Sequence, residues 1–450
     1  MIVGLPAIKA CSGPGDFKPC EAYMINLTPW LNAPAWHVAF SGGLDSTVLL
    51  HLLADYARSH CAPPLRAIHV HHGLQPVAND WPEHCQRVCN DLGVELTVIR
   101  VQVEPGASLE QAARNARYSA LAQVLGPGEL LFTGQHREDQ AETLLFRLLR
   151  GAGLRGLAAM PDKRRLGQGA LVRPLLAISR AQLAAYAQAW RLKWVEDPSN
   201  RDTDFARNYL RGEVLPLLRQ RWPQASQNIA RCADHLGEAL GLLDEVALDD
   251  LALAEQGAPA QWSALSSLDL TCLRSLSPAR QRNALQYWLS QRTRLPDSRH
   301  WAGWVDLCTA ALDAQPIWRL ADGQLVRSNG RIWWLGDDWL QSEPVGQPWL
   351  APAEALALPG NGDVRIEGKR PEGPLRIAYR QGGEVLDVPG RGRRDLKRLL
   401  NEAQVPHFLR SRLPLLFRGE DLLAVANLPE RGQADCQLRW HLPTSAQGLR

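Results

Sequence analysis

Between residues 36 and 149 short apolar runs alternate with stretches in which apolar residues return every three or four positions. The runs at His37–Phe40, Ala67–Val70, Val94–Val101 and Leu130–Thr133 predict strands. The periodic stretches at about Asp45–Ser59, Asp80–Leu92 and Leu109–Leu125 predict helices between them. Strand and helix in strict alternation predict an α/β fold with a parallel sheet covered on both faces. Beyond about Trp222 the alternation stops. Ala225 to about Leu251 reads as an acidic helix, Ser277–Leu289 as another, and Ile317–Leu320 and Arg331–Leu335 as short strands. Pro352, Pro359, Gly360 and Gly362 mark a linker between Trp349 and Asp363. The first 34 residues, with Pro6, Gly13, Pro14 and Gly15, show no period and are expected to be a disordered extension, with Met24 as the native start. The expected division is therefore 1–34, a catalytic domain over 35–222, a middle domain over 223–348 and a terminal domain over 363–450.

In parallel sheets ligands bind beyond the carboxyl ends of the strands, and three polar motifs fall there. The first, Ser41-Gly42-Gly43-Leu44-Asp45-Ser46, joins a strand to a helix. Its two glycines permit a sharp turn that presents backbone N–H groups, and Ser41, Ser46 and the helix N-terminus add donors and field, so phosphate or pyrophosphate is the expected ligand. It lacks the lysine of G-x-x-x-x-G-K-[ST], which disfavours cleavage at a γ-phosphate. The second motif, His69-Val70-His71-His72-Gly73-Leu74, and the third, Thr133 to Thr143, place His69, His71 and His136 as candidate ATP contacts. A histidine metal triad is disfavoured because successive strand residues point to opposite faces. Glu138 and Asp139 fit two roles: a cap with favourable dipole placement, or Mg²⁺ ligands beside a triphosphate, with Asp139 the main choice. Arg114 and Arg117, three apart, share a helix face that is either solvated or a phosphate clamp.

Gly151-Ala152-Gly153-Leu154-Arg155-Gly156 matches G-x-G-x-x-G but follows a helix, the reverse of the order that dinucleotide binding needs; it is expected to be a mobile loop at the catalytic mouth. No apolar stretch reaches the ~20 residues of a membrane span, and a cytoplasmic protein is expected. Nine scattered cysteines do not form a disulfide pattern, and Cys85 with Cys89 reads as packing on one helix face. The net charge of +3 is unevenly spread: from Asn361 onward 16 Lys/Arg stand against 11 Asp/Glu, a net +5. Arg391, Arg393, Arg394, Lys397, Arg398, Arg410 and Arg412 are either an RNA-backbone surface or an ordinary solvated face.

The motif S-G-G-x-D-S resembles the PP-loop of the N-type ATP pyrophosphatases, which implies an adenine nucleotide α-hydrolase-like fold and ATP cleavage between the α- and β-phosphates. With His69–Leu74, Arg114–Tyr118, His136–Thr143, Arg150–Leu157, Arg173–Leu176, Trp194–Asn200 and Arg207-Asn208 in this order, the chain from about Met24 resembles the bacterial tRNA(Ile)-lysidine synthetases. The resemblance implies a PP-loop domain, a mainly helical middle domain and a small basic α+β C-terminal domain that recognises the tRNA acceptor arm. It implies that ATP, with Mg²⁺ on Asp45 and Asp139, adenylates the wobble cytidine of tRNA(Ile) with a CAU anticodon, after which free L-lysine is attached at C2. A carboxylate or His136 would accept the proton of the lysine amine. Arg114 and Arg117 would join Asp45 and Asp139 as catalytic groups. By motif position Glu138, Asp197, Asn200 and Arg207, with Arg393, Arg394, Lys397 and Arg398 in the terminal domain, would contact lysine or tRNA. The family often carries Asp-Asp where this chain has Glu138-Asp139. A homodimer is one expectation for the assembly. Two other readings differ in their signals: a tRNA thiolase would carry paired C-x-x-C cysteines, absent here, and an RNA-binding protein with a decayed ATP site would not need Asp45, Ser46 and Asp139.

Overall fold

The structure is a computed structural model that describes residues 25–73, 76–103, 109–296, 300–311, 314–428 and 436–443. It divides into two compact units, residues 1–240 and 241–450, with the division falling inside a long helix, Ala225–Ala254.

The first unit is built on a six-stranded sheet. Its strands are β1 (Trp36–Ala39), β2 (Leu65–His71), β3 (Glu95–Arg100), β4 (Leu130–Phe132), β5 (Lys163–Leu166) and β6 (Gly169–Val172), in the order β3-β2-β1-β4-β6-β5. All pairings are parallel except β5 with β6, a hairpin at the edge. The helices α1 (Leu44–Ser59), α2 (Trp81–Leu92), α3 (Leu109–Val124) and α4 (Arg137–Leu148) fill the predicted places. Strand alternation sends successive side chains to opposite layers. Leu130, Phe132 and Val172 enter one core with Trp36, Val38 and the buried face of α1, while Leu131 and Leu171 enter another with Leu121 of α3 and Leu125 just after it. The chain leaves β1 toward β2 and β3 and returns across it to β4, so the strand order reverses between β1 and β4. A crevice opens at such a reversal, and this one lies at the carboxyl ends of β1 and β4.

Residues 25–34, expected to belong to a disordered extension, are folded. Ile25 and Leu27 are buried in the α1 core and Thr28–Trp30 forms a 3-10 turn; residues 1–24 lie outside the described residues. The segment has no period because it packs through single anchor residues. Cys85 and Cys89 are buried in the same core, as helix packing requires.

In the second unit, helices Leu270–Ser275, Pro278–Ser290 and Ala302–Thr309 accompany a four-stranded antiparallel sheet. Its strand Arg331–Gly336 serves two cores, with Ile332 and Trp334 on one side and Trp333 and Leu335 on the other. The terminal part is α+β, weighted toward strand: a six-stranded and a three-stranded sheet with one α-helix, Leu396–Glu402, among the described residues. The linker expected between Trp349 and Asp363 is folded. Gln347–Trp349 pairs with Leu375–Ile377 and Leu356–Leu358 with Gly362–Val364, so the prolines and glycines there turn the chain between short strands.

Candidate active site

The loop after β1 starts where the Phe40 N–H donates to the Ile68 carbonyl, 2.8 Å. Gly42 then takes φ +83°, where a side chain is strained, and a Cβ there would sit 3.1 Å from Cys85 Sγ and 3.2 Å from Val195 Cγ2. Gly43 caps α1, followed by Leu44 and Asp45 in the first turn. Ser46 locks the turn: its hydroxyl lies 2.9 Å from Ser41 Oγ, donates to the Gly43 carbonyl at 3.0 Å and accepts from Ser41 N at 3.3 Å. From far along the chain the Val195 N–H donates to the Gly42 carbonyl, 2.9 Å. The result is a turn, closed by its own hydrogen bonds, with N–H groups at a helix N-terminus, the geometry that an anion site uses.

The loop after β4 closes against it. A Cβ on Gly134 would lie 3.0 Å from the Asp45 carbonyl carbon and 3.1 Å from Ser46 N, so only glycine allows this approach. His136 follows as the N-cap of α4, and its backbone N–H donates to Asp139 Oδ2 at 3.0 Å. Its Nδ1 donates to Glu138 Oε2 at 3.1 Å, and its Nε2 lies 3.4 Å from Asp139 Oδ2 and 3.7 Å from Asp45 Oδ2. Burial opposes the charge on His136, but the Glu138 bond and the carboxylates of Asp139 and Asp45 outweigh it and raise its pKa. Burial likewise opposes ionisation of Glu138, yet its bonds to His136 and to the Arg180 N–H, 2.9 Å, hold its pKa at about 2. Burial raises the pKa of Asp45, and its Oδ1 is a buried oxygen without a hydrogen-bond partner. Asp139 thus does act as a cap, and Glu138 is used to orient His136 and to receive the N-terminus of helix Arg180–Ala189.

Two residues that sequence reasoning missed complete the cluster. Arg211 donates to Asp139 Oδ1 at 2.8 Å and, through both Nε and Nη2, to Glu142 at 2.7 and 2.9 Å. Burial disfavours its charge, but the Glu142 pair and the neighbouring Asp139 and Asp45 raise its pKa further. Glu142 was detectable, being three residues after Asp139 on one helix face. Arg211 carried no such signal.

His69 is buried, and because a carbonyl only accepts, its Nδ1 carries the proton donated to Phe40 O at 2.9 Å. Burial lowers its pKa, so its Nε2 is a lone-pair acceptor, and neither it nor the buried Nε2 of His71 has a hydrogen-bond partner. Leu74 of the same motif lies outside the described residues. Arg114 and Arg117 do not reach the carboxylates; their guanidinium carbons lie 4.9 and 5.6 Å from the centre of the Tyr118 ring. Asp197 accepts from Ser199 N and Oγ at 2.9 and 2.7 Å, capping a 3-10 turn, and Arg207 lies 5.9 Å from the Phe146 ring centre. The side chain of Asn200 lies outside the described residues. The Gly151–Gly156 segment, expected to be mobile, is tethered: Arg147 donates to Gly156 O at 2.8 Å and Ala159 O at 2.7 Å.

In the second unit Arg393 and Arg394 lie on the strand Gly392–Asp395, and Lys397 and Arg398 on the helix that follows. Arg393 and Lys397 are exposed, whereas Arg391 and Arg398 both pair with Glu402 at 3.1 Å. Arg412 leaves the basic surface altogether: it is buried, donates to the Leu340 carbonyl and stacks 4.5 Å from the Trp339 ring centre. An open depression of about 750 Å³ is lined by Arg376, Tyr379, Arg380 and Arg412 with Glu343 and Gln347.

A glycine turn for phosphate at the strand-order reversal of a parallel sheet, faced by a carboxylate cluster, defines an ATP-using protein of the PP-loop class. The family model described as the PP-loop domain matches residues 20–218. Two further models, the TilS substrate binding domain and the TilS substrate C-terminal domain, match residues 268–333 and 375–442. The tRNA(Ile)-lysidine synthase of Pseudomonas putida is 74% identical over 426 residues, covering 95% of this chain and 100% of that one. Those of Pseudomonas aeruginosa and Coxiella burnetii are 59% and 40% identical, covering 96% and 86% of this chain and 99% and 87% of theirs. The chain belongs to the tRNA(Ile)-lysidine synthase family.

Proposed function

We propose that the protein is a ligase that forms lysidine on tRNA(Ile), using ATP to join free lysine to the wobble cytidine of the CAU anticodon. The observation that carries the chemistry is the meeting of the Ser41–Gly43 turn with Asp45, His136, Asp139 and Arg211 at one crevice. The turn binds the pyrophosphate portion of ATP through backbone N–H groups, and the imidazole of His136 beside it offers a polar partner for the negative charge that develops as pyrophosphate leaves. The cytidine O2 attacks the α-phosphorus, the bond to pyrophosphate breaks, and C2 becomes electrophilic. The neutral lysine ε-amine attacks C2, the oxygen departs with AMP, and a carboxylate takes the amine proton.

Mg²⁺ fits the residues present. Asp45 offers a buried oxygen without a partner, and Mg²⁺ is commonly held by one or two carboxylates plus substrate phosphates. Asp45 and Asp139 would hold it, and it would neutralise phosphate charge. No helix among the described residues is long and apolar enough to cross a membrane, and work in the cytoplasm is the reading that tRNA and ATP as substrates support.

The test is incorporation of radiolabelled lysine into a CAU isoleucine tRNA transcript with ATP and Mg²⁺. Incorporation that needs ATP and the wobble cytidine, and that falls at least about 100-fold in Asp45→Asn, is expected. Pyrophosphate release without label in the RNA would refute the assignment of lysine as nucleophile.

A further inference from the structure

Four arginines converge on Tyr118. The guanidinium carbons of Arg114, Arg117 and Arg164 lie 4.9, 5.6 and 5.0 Å from its ring centre, and the Arg173 cation acts on its hydroxyl as well. Among the described residues none of the four pairs with a carboxylate. Burial alone would raise the Tyr118 pKa, but the four cations lower it, which reports a strongly positive local potential. Like charges assembled around one ring without counter-ions repel, and a polyanion is what relieves them.

Position separates this cluster from the nucleotide. Lys163 pairs with Val172, Val172 with Phe132, and Phe132 with Val38, so the carboxyl ends of β4 and β6 and the start of β5 share the edge that carries the phosphate turn. Arg173 directly follows β6, and Arg164 lies on β5. With strands ~4.8 Å apart, β6 and β5 stand roughly 10 and 14 Å from β1 along the sheet. An RNA whose cytidine reaches the α-phosphate beside β1 must carry its flanking phosphodiesters outward along this edge. The β5 hairpin adds the exposed cations Lys163 and Arg165.

We propose that Arg164, Arg114 and Arg117, gathered around Tyr118 with the buried Arg173 supporting the positive field, form a clamp for the sugar-phosphate backbone of the substrate RNA next to the reacting base. The inference rests on the proposed function and assigns residues that it leaves without a role. The phenol gives the Arg114, Arg117 and Arg164 cations a shared support, while the buried Arg173, whose Nη1 donates to the Pro161 carbonyl at 2.6 Å, adds its field from the interior. Tyr118 is therefore a positioning residue.

Arg164 is half-buried on an edge strand, so its replacement should leave the fold intact; a thermal melt checks this. Arg164→Gln is expected to weaken equilibrium binding of the tRNA transcript about tenfold and to reduce the slope of log affinity against log salt by about one, while binding of ATP alone is unchanged. Arg164→Lys should recover much of the salt slope. If ATP binding fell by the same factor, the cluster would belong to the nucleotide, and if a folded Arg164→Gln protein kept wild-type RNA affinity and slope the clamp would be wrong. Failure of the function itself reads differently: the wild type would add no lysine to the transcript, while the salt slopes would still decide the clamp.

Discussion

Arg211 joins the carboxylates of Asp139 and Glu142. The Glu142 side chain is 1% exposed and that of Arg211 35%, so Arg211→Ala leaves a buried carboxylate without its bidentate partner. Breaking a buried ion pair from one side costs about 3–5 kcal/mol, and the partial exposure of Arg211 brings this to about 2–3 kcal/mol. For a unit of this size each kcal/mol lowers the melting temperature by about 2–4 °C, so a fall of roughly 5–10 °C is expected in the far-ultraviolet circular dichroism melt at neutral pH. The cost should shrink by more than about 1 kcal/mol when the substitution is made in Glu142→Gln, because the stranded charge is then absent. Arg211→Lys keeps the charge but cannot bond Asp139 and Glu142 together, and should fall between. A melt within about 2 °C of wild type, or an equal cost in both backgrounds, would show that the pair does not hold this corner of the site.

Gly42→Ala forces a side chain into φ +83° and against Cys85 and Val195; we expect a destabilisation of about 1–2 kcal/mol and at least tenfold weaker ATP binding by equilibrium dialysis, and unaltered ATP binding would refute the phosphate turn. Glu138 has a folded pKa of about 2, below its unfolded value of 4.5, so its stabilisation is complete above pH 4.5 and lost as pH falls toward 2. His136 runs oppositely, with a raised folded pKa whose stabilisation is complete below 6.5 and lost as pH rises through the folded value. Glu138→Gln should therefore flatten the acid limb of the stability profile and bring the alkaline loss at His136 to lower pH in urea titrations; a profile that overlays wild type would contradict both assignments.

Local pattern made the catalytic sheet legible. Leu130–Phe132 is a fully apolar run and Trp36–Ala39 is apolar but for His37 because both of their faces are buried, and α1 begins where Gly43 ends the turn. Asp45, His136 and Asp139 were readable because they occupy strand-to-helix junctions whose position the alternation fixes. Arg211 was not readable, since its partners stand 69 and 72 residues earlier and no period links them. Arg114 and Arg117 were correctly placed on one face, yet what lay opposite, the Tyr118 ring and Arg164 of an edge hairpin, depends on tertiary packing. Composition misled around Trp349–Asp363 because the residues of linkers and tight strand turns are the same. Arg412 was counted as surface charge, although a long apolar stem lets it stack on Trp339 inside the fold.

The bond from Val195 to the Gly42 carbonyl bears on synthesis as well as on catalysis. A nascent chain that has emerged only through β4 has its phosphate turn but neither that tether nor Arg211. At about 5–20 residues per second, the ribosome adds the stretch from Gly42 to Arg211 in roughly 10–30 s. During that interval the growing polypeptide lacks two contacts of the proposed pyrophosphate site, so on the proposed function ATP cleavage would wait until Arg211 has left the exit tunnel.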